Sequence, residues 1–144
     1  MKTGRRLAFD YGQVRIGVAV SDLSGLIASP IATLLAQDTS LPEQLLSLIE
    51  EYKPIYLVVG EPRHLSGGSN PSLLAARAFG ELLKSVTSLP IHFIDERMST
   101  VSAAKHLREA GHDAKSSKGL IDAMAATMIL ESALERERRA GHLD

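Results

Sequence analysis

The sequence predicts one α/β domain, built on a mixed five-stranded sheet with helices on both faces. Three short apolar runs near the start are separated only by turn-forming residues, the pattern of an antiparallel meander. Two later apolar runs each lie between stretches with helical spacing, the pattern of parallel strands joined by crossover helices. A chain of 144 residues, 44% of them hydrophobic, can bury the core of one such domain, which we assign to residues 1–144.

The meander is predicted over three runs rich in apolar and β-branched residues: Leu7–Tyr11, Arg15–Ser21 and Leu26–Leu34. The first two runs are separated by Gly12-Gln13, and the last two by a segment that contains Asp22, Ser24 and Gly25. Both separating segments have the composition of turns. Because short turns join antiparallel strands, the first three strands should pair in sequence order.

The rest of the chain alternates helices with strands. Helical spacing of apolar residues predicts helices over Leu41–Tyr52, Ser72–Val86, Val101–Ala110 and Lys118–Arg139. Continuous apolar runs predict buried strands over Ile55–Val59 and Ile91–Ile94, and the polar segment Glu61–Pro71 predicts a loop. The resulting order, β-β-β-α-β-α-β-α-α, is that of an RNase H-like domain.

Composition and charge narrow the setting of this domain. The formal net charge of −1 argues against a protein held on nucleic acid by overall charge alone, although Arg5, Arg6 and Arg15 cluster in the sequence. The absence of cysteine excludes disulfides and thiolate metal sites. No apolar stretch has the length of a signal-peptide core or a membrane span, so we expect a cytoplasmic protein that has no membrane partner.

Two carboxylates are predicted at positions where a charge is unfavourable. Asp10 lies inside the first strand, where alternation places it on the same face as Ala8. The alternative is that Asp10 caps the turn that follows it. Asp122 lies in the last helix, on an apolar stripe that continues through Ala125 and Ile129. The alternative is that Asp122 is an acid near the start of that helix, where it would favour the helix dipole.

Acidic residues also follow the two later strands. Asp95 and Glu96 come at the carboxyl end of the last predicted strand, where open α/β sheets usually bind ligands. The alternative is that both are loop acids before a helix that begins near Ser99-Thr100. Glu61 holds the equivalent position after the preceding strand, and taken alone it is more typical of a solvated loop acid than of a ligand.

In this fold the strand acids and the helix acid would converge. Carboxylates so close together raise one another's pKa unless a cation neutralises their charge. Because oxygen ligands select hard cations, we expect Mg²⁺ or Mn²⁺, and a pair of such ions would support in-line phosphoryl displacement. The five histidines show no paired zinc spacing.

Four sequence blocks together are specific: Asp10-Tyr11-Gly12 with Arg15 through Asp22, Val58-Val59-Gly60 with Pro62, Asp95-Glu96-Arg97 with Ser99-Thr100, and Asp122 with Ala125-Ala126 and Ile129-Leu130. On these blocks the chain resembles the YqgF/RuvX family from about Leu7 to Leu134. Members of that family are described as Holliday-junction resolvases and as nucleases for the 5′ end of pre-16S ribosomal RNA.

The resemblance implies an RNase H-like nuclease with a metal site formed by Asp10, an acid of the Asp95-Glu96 pair, and Asp122. Of the adjacent acids we expect Glu96 to be the ligand, because Asp95 shares a strand face with Phe93 and Glu96 would point to the other face. If the strand ends before Asp95, both acids could contribute.

The resemblance also implies that Arg15 and Arg97 contact substrate phosphate. We expect Lys115 and Lys118 to join them in a basic ring around the acids. The chain departs from the family pattern at two positions. Val14 replaces a frequent lysine, which removes one phosphate contact. Glu61 replaces a usual apolar residue, which either adds a metal ligand or is a surface change.

The predicted function is metal-dependent hydrolysis of phosphodiesters in structured RNA or branched DNA. This activity would serve 5′-end processing of pre-16S rRNA in ribosome biogenesis, or Holliday-junction resolution. The alternative is a nucleic-acid-binding ribosome-maturation factor that has the fold but little catalytic turnover. A homodimer would favour the junction substrate, because symmetric cleavage needs two active sites.

Overall fold

The structure, a computed structural model, describes residues 1–62, 71–95 and 114–143, with only the backbone described for residues 114–120. Its elements are β1 (Arg6–Tyr11), β2 (Arg15–Ser21), β3 (Ala28–Leu35), α1 (Leu41–Tyr52), β4 (Tyr56–Glu61), α2 (Pro71–Val86), β5 (Ile91–Asp95) and α3 (Ala114–Ala140). The helix expected over Val101–Ala110 lies outside the described residues.

The five strands form one sheet in the order β3-β2-β1-β4-β5. β1 pairs antiparallel with β2, and β2 pairs antiparallel with β3, so the predicted meander is confirmed. β1 pairs parallel with β4, and β4 pairs parallel with β5. The sheet is therefore mixed, as the sequence predicts.

Each face of the sheet has its own apolar core. On one face, the buried side chains of α1 and α2 pack against those of Leu7, Phe9 and Val59. We call this the α1/α2 face. On the other, the α3 face, Ala126 and Ile129 belong to a cluster of buried residues that also includes Ala8, Val58 and Ile94. Successive residues of β1 and β4 alternate between the two cores, as the period of a strand requires.

The structure shifts the predicted starts of β3 and α3. β3 begins at Ala28 rather than at Leu26, because Asp22 Oδ1 accepts hydrogen bonds from the N–H groups of Leu26 and Ile27 and holds them in a loop. α3 begins at Ala114 rather than at Lys118.

The predicted start of a loop at Glu61 is also wrong. β4 and β5 each continue past the end of their apolar run, because Gly60 pairs with Ile94 and Glu61 pairs with Asp95 in the parallel ladder. Backbone pairing does not depend on side-chain polarity, so β4 extends to Glu61 and β5 extends to Asp95.

A buried ion pair anchors α3 to the beginning of β1. Arg6 is completely buried, and its Nη2 donates a hydrogen bond to Glu137 Oε2 over 3.0 Å. The Tyr56 hydroxyl donates to the other oxygen of the same carboxylate over 2.7 Å. Arg6 is therefore a core residue, and it does not form a surface cluster with Arg5 and Arg15 as the sequence suggested.

Candidate active site

Asp10 is held inside β1, on the α3 face of the sheet. Its cross-strand partner is Gly17 of β2, and the residues on either side of it, Phe9 and Tyr11, pack in the opposite core. The hairpin closes with a hydrogen bond of 2.9 Å from the Gly12 N–H to the Arg15 carbonyl oxygen, one residue beyond the end of β1. The predicted face of Asp10 is thus confirmed, and Asp10 belongs to the strand rather than to the turn.

Asp122 lies well inside α3, eight residues after the helix begins at Ala114. An acid so far from the amino end is beyond the reach of the helix dipole, so the alternative of a first-turn acid is wrong. The residues that follow on its side of the helix, Ala125, Ala126 and Ile129, are completely buried. Asp122 therefore stands at the edge of the apolar stripe that packs on the sheet.

Gly17 brings the two acids together. A Cβ built on Gly17 would overlap the backbone carbonyl of Asp122 and would lie 2.8 Å from the Ala123 nitrogen. The α3 backbone thus contacts β2 at the residue that pairs with Asp10. Because directly paired residues of antiparallel strands share a face, Asp10 lies beside the turn of α3 that carries Asp122.

Arg15 completes this group in the described part of the chain. It lies two residues before Gly17, hence on the same side of β2, and its Nε donates a hydrogen bond of 3.0 Å to Asp122 Oδ2. The side chains of Arg15 and Asp122 are 34% and 24% exposed, so the pair is open to water. Burial raises the pKa of the Asp122 carboxyl above its ordinary value, and the hydrogen bond and charge of Arg15 oppose that rise.

Glu61 and Asp95 lie on the other side of the sheet. They are paired residues of β4 and β5, and alternation places Asp95 on the α1/α2 face with Phe93. Glu61 is only 4% exposed, and it accepts a hydrogen bond of 2.9 Å from Nε of Arg77, which lies on α2. The expectation of a solvated loop acid is therefore wrong, because the guanidinium compensates the buried carboxylate.

This arrangement bears on the choice between the adjacent acids. β5 includes Asp95, so the parity argument applies, and Asp95 shares the face of Phe93 as predicted. Glu61 and Asp95 thus do not join Asp10 on the α3 face. Glu96 lies outside the described residues, and its role as a ligand stays a prediction.

The described carboxylates fit a hard divalent cation. Asp10 and Asp122 offer oxygen donors from two elements that touch, and Mg²⁺ is usually held by one or two carboxylates with water and substrate phosphate. Within residues 1–62, 71–95 and 114–143, no three histidine or acidic side chains meet as a ready metal cluster.

Other predicted site residues lie beyond what the structure describes. They are Arg97 and the side chains of Lys115 and Lys118. Val14, by contrast, is exposed at the tip of the first hairpin, next to Arg15. Sequence reasoning missed the roles of Gly17 and Arg77. A glycine inside a strand is a signal of close backbone approach, whereas nothing local marks Arg77 as the partner of Glu61.

Comparisons with known proteins place the chain among named relatives. A family model described as "RuvX: Holliday junction resolvase" matches residues 4–136. The chain is 44% identical over 143 residues to a provisionally named pre-16S rRNA nuclease of Streptomyces avermitilis, covering 98% of this chain and 92% of the relative. A Clavibacter michiganensis protein of the same name is 42% identical over 143 residues, with 98% and 89% covered.

Two solved structures share the fold. Thermus thermophilus RuvC in complex with a Holliday junction substrate has a TM-score of 0.61 and 14% identity, covering 95% of this chain and 96% of that one. The fowlpox virus Holliday junction resolvase has a TM-score of 0.55 and 12% identity, with 92% and 99% covered. At these identities the likeness shows the fold alone, and it confirms the RNase H-like prediction.

Proposed function

We propose that this chain, which belongs to the RuvX Holliday junction resolvase family, is a metal-dependent nuclease. It uses Asp10 and Asp122 to hydrolyse nucleic-acid phosphodiesters. One observation carries the proposal. Asp10 and Asp122, which are 112 positions apart in the sequence, reach one face of the sheet because α3 contacts β2 at Gly17.

The chemistry follows from the donor set. A divalent ion bound by these carboxylates, with Glu96 as the third ligand, would supply charge stabilisation and an activated water. The protein holds Asp10 on a central strand and Asp122 on a helix whose backbone contacts the sheet, so neither ligand depends on a free loop for its position. Rigid elements of this kind keep metal ligands in place during turnover.

The substrate we favour is the precursor of 16S ribosomal RNA. The curated relatives at 44% and 42% identity carry that substrate in their names, whereas the family model names a DNA junction. We propose that the chain processes the 5′ end of this precursor in the cytoplasm, during ribosome biogenesis. No helix in the described ranges is long and apolar enough to cross a bilayer.

A cleavage assay tests the proposal. Purified protein is offered a 5′ pre-16S rRNA fragment and a four-way DNA junction, each with Mg²⁺, Mn²⁺ or excess chelator. We expect the RNA to be cut only with metal. Cleavage in chelator would contradict the metal site, and cleavage of the junction alone would replace the substrate. Tight RNA binding without cleavage would favour a maturation factor with little turnover.

Substitution locates the activity. Asp10→Asn and Asp122→Asn should each lower turnover by more than about a hundredfold, since mutating residues that only support metal ligands already costs about 10–100-fold. Glu50→Gln removes an exposed carboxylate on α1 and should cut at the wild-type rate. Circular dichroism confirms that each variant folds. Wild-type cleavage by both folded Asp variants would place the site elsewhere.

A further inference from the structure

The ion pair between Arg15 and Asp122 occupies one oxygen of a carboxylate that the proposed metal site uses. Arg15 Nε donates to Asp122 Oδ2 over 3.0 Å, and a third of the arginine side chain is exposed to water. Arg15 lies at the start of β2, directly after the exposed hairpin tip at Val14. A guanidinium in this position can turn from the carboxylate toward a ligand in solvent.

We propose that Arg15 and a divalent metal ion compete for Asp122, so that Arg15 is released to a substrate phosphate when the metal binds. The inference rests on the proposed nuclease function, since it takes Asp122 as a metal ligand. Arg15 would thereby couple metal binding to nucleic-acid binding.

Charge balance supports the competition. Asp122 borders the buried residues Ala125 and Ala126, where an ionised carboxylate without a counter-charge is unfavourable. Arg15 supplies that counter-charge through its ion pair with Asp122. A divalent cation on the same carboxylate makes the guanidinium unnecessary and repels it at short range. The two cations therefore favour different positions of Arg15.

Phosphate is the natural alternative partner for the released side chain. A guanidinium presents a planar fork of donors that binds phosphate oxygens in pairs, which an ammonium group does not. Because linkage is reciprocal, a phosphate that draws Arg15 away from Asp122 must also strengthen metal binding there. Metal and nucleic acid would thus bind cooperatively, even before any direct contact between them is counted.

The opposite interpretation makes a different prediction. If Asp122 holds Arg15 in the orientation that binds phosphate, removing the carboxylate should weaken nucleic-acid binding. Under the competition we propose, removing it should strengthen binding without any metal. Asp10→Asn is the matched control, because it deletes one negative charge from the same face and leaves the partner of Arg15 in place.

The experiment measures binding of a fluorescent 5′ pre-16S rRNA fragment in excess chelator across a range of salt. We expect Asp122→Asn to bind about tenfold more tightly than Asp10→Asn, with a logarithmic salt slope steeper by about 1, the value of one added phosphate contact. Adding Arg15→Gln to both variants should abolish both differences. Equal affinities for the two Asn variants, or weaker binding by Asp122→Asn, would overturn the inference.

A second measurement covers the case in which Asp122→Asn does not fold or the RNA does not bind. Mn²⁺ affinity is determined by calorimetry on wild-type protein and Arg15→Gln without nucleic acid. Removing the competitor should tighten Mn²⁺ binding about fivefold or more, in the range of ordinary coupling between sites. Unchanged or weaker Mn²⁺ binding would overturn the inference. A wild-type protein that cuts RNA while these differences fail leaves the nuclease function standing.

Discussion

At Gly17 the absence of a side chain determines where the last helix can lie. The α3 backbone at Asp122 occupies the space that a Cβ would need, and Gly17 is also the strand partner of Asp10. One residue therefore sets the approach of the helix to the sheet and the proximity of the two acids. This is the ordinary use of a strand glycine, which permits close contact at some expense in strand propensity.

Gly17→Ala should therefore disturb stability and activity together. The obstacle is backbone, which cannot rotate away, so α3 must shift, and overpacking of this kind typically lowers the free energy of unfolding by about 1–3 kcal/mol. Urea unfolding measures the loss of stability. The cleavage assay should also show a lower turnover for the molecules that remain folded. A variant with wild-type stability and turnover would contradict the close contact.

The carboxylate of Glu61 forms an ion pair that joins two elements of the fold. It is buried at the end of β4, and the guanidinium of Arg77, itself 55% exposed, covers it from α2. Arg77→Ala would leave the carboxylate without this partner, so we expect a loss of about 1–3 kcal/mol in the free energy of unfolding. The Glu61→Gln, Arg77→Ala double variant should recover part of that loss, because the buried charge is gone.

Cleavage by the Arg77→Ala variant separates structure from chemistry. The folded protein should cut at close to the wild-type rate, since Glu61 lies on the face opposite Asp10 and Asp122. A folded Arg77→Ala protein with normal stability but no metal-dependent activity would indicate that Glu61 acts in the metal site.

At the scale of elements, the sequence predicts well whatever is encoded locally. α1 spans Leu41–Tyr52 as predicted, because Leu41, Leu45 and Ile49 form one buried stripe and Pro54 follows its end. The sequence predicts ends of β4 and β5 that are too early, because the last residues of both strands are polar. Their continuation depends on pairing between strands, which no window of sequence shows.

The same limit applies to the candidate site. Alternation alone places Asp10 on its face, and helical spacing alone places Asp122 on the buried stripe of α3. The pairing of Arg15 with Asp122 joins residues 107 positions apart, and it depends on where α3 crosses the sheet. Sequence patterns assign residues to faces, whereas contacts between distant elements require the assembled fold.

α3 is also anchored at its far end by the buried contacts of Glu137. Burial raises the pKa of the Tyr56 hydroxyl above its ordinary value of 10.0, and Glu137 raises it further while Arg6 opposes the rise. The folded protein therefore holds this proton more tightly than the unfolded chain. The contribution of Tyr56 to stability is complete below pH 10.0 and is lost as the pH rises above that value.

Tyr56→Phe should separate this contribution from the rest of the core. At neutral pH the variant loses a hydrogen bond to a charged group, which we expect to lower the free energy of unfolding by about 1.5–3 kcal/mol. Above pH 10.0, wild-type stability should fall more steeply with pH than that of the variant. Tyr11→Phe is the control, since Tyr11 is half-buried, its ring stacks on Phe79 in the other core, and no hydrogen bond joins it to Glu137 in the described structure. Parallel pH profiles for wild type and Tyr56→Phe would contradict the buried network.

For the whole molecule, the net charge of −1 hides a division between the two faces of the sheet. Asp10 and Asp122 lie on the α3 face with Arg15, whereas Glu61 and Asp95 lie on the α1/α2 face. A nucleic acid that approaches the α3 face thus meets only part of the acidic charge. We expect metal ions and basic side chains to offset that part locally, so binding does not require a basic protein overall.

Salt dependence tests whether this local charge is arranged as the sequence predicts. If Lys115 and Lys118 each neutralise one phosphate, the logarithmic salt slope of RNA binding should flatten by about 1 for each lysine removed, so the Lys115→Ala, Lys118→Ala double variant should lose about 2. Lys84→Ala is the control, because Lys84 is exposed on α2 and paired with Glu81. Binding is measured by fluorescence anisotropy at one constant Ca²⁺ concentration, so that a divalent ion is present in every titration. Cleavage is monitored separately. A slope unchanged in the double variant would remove both lysines from the interface and leave the phosphate contacts to the arginines.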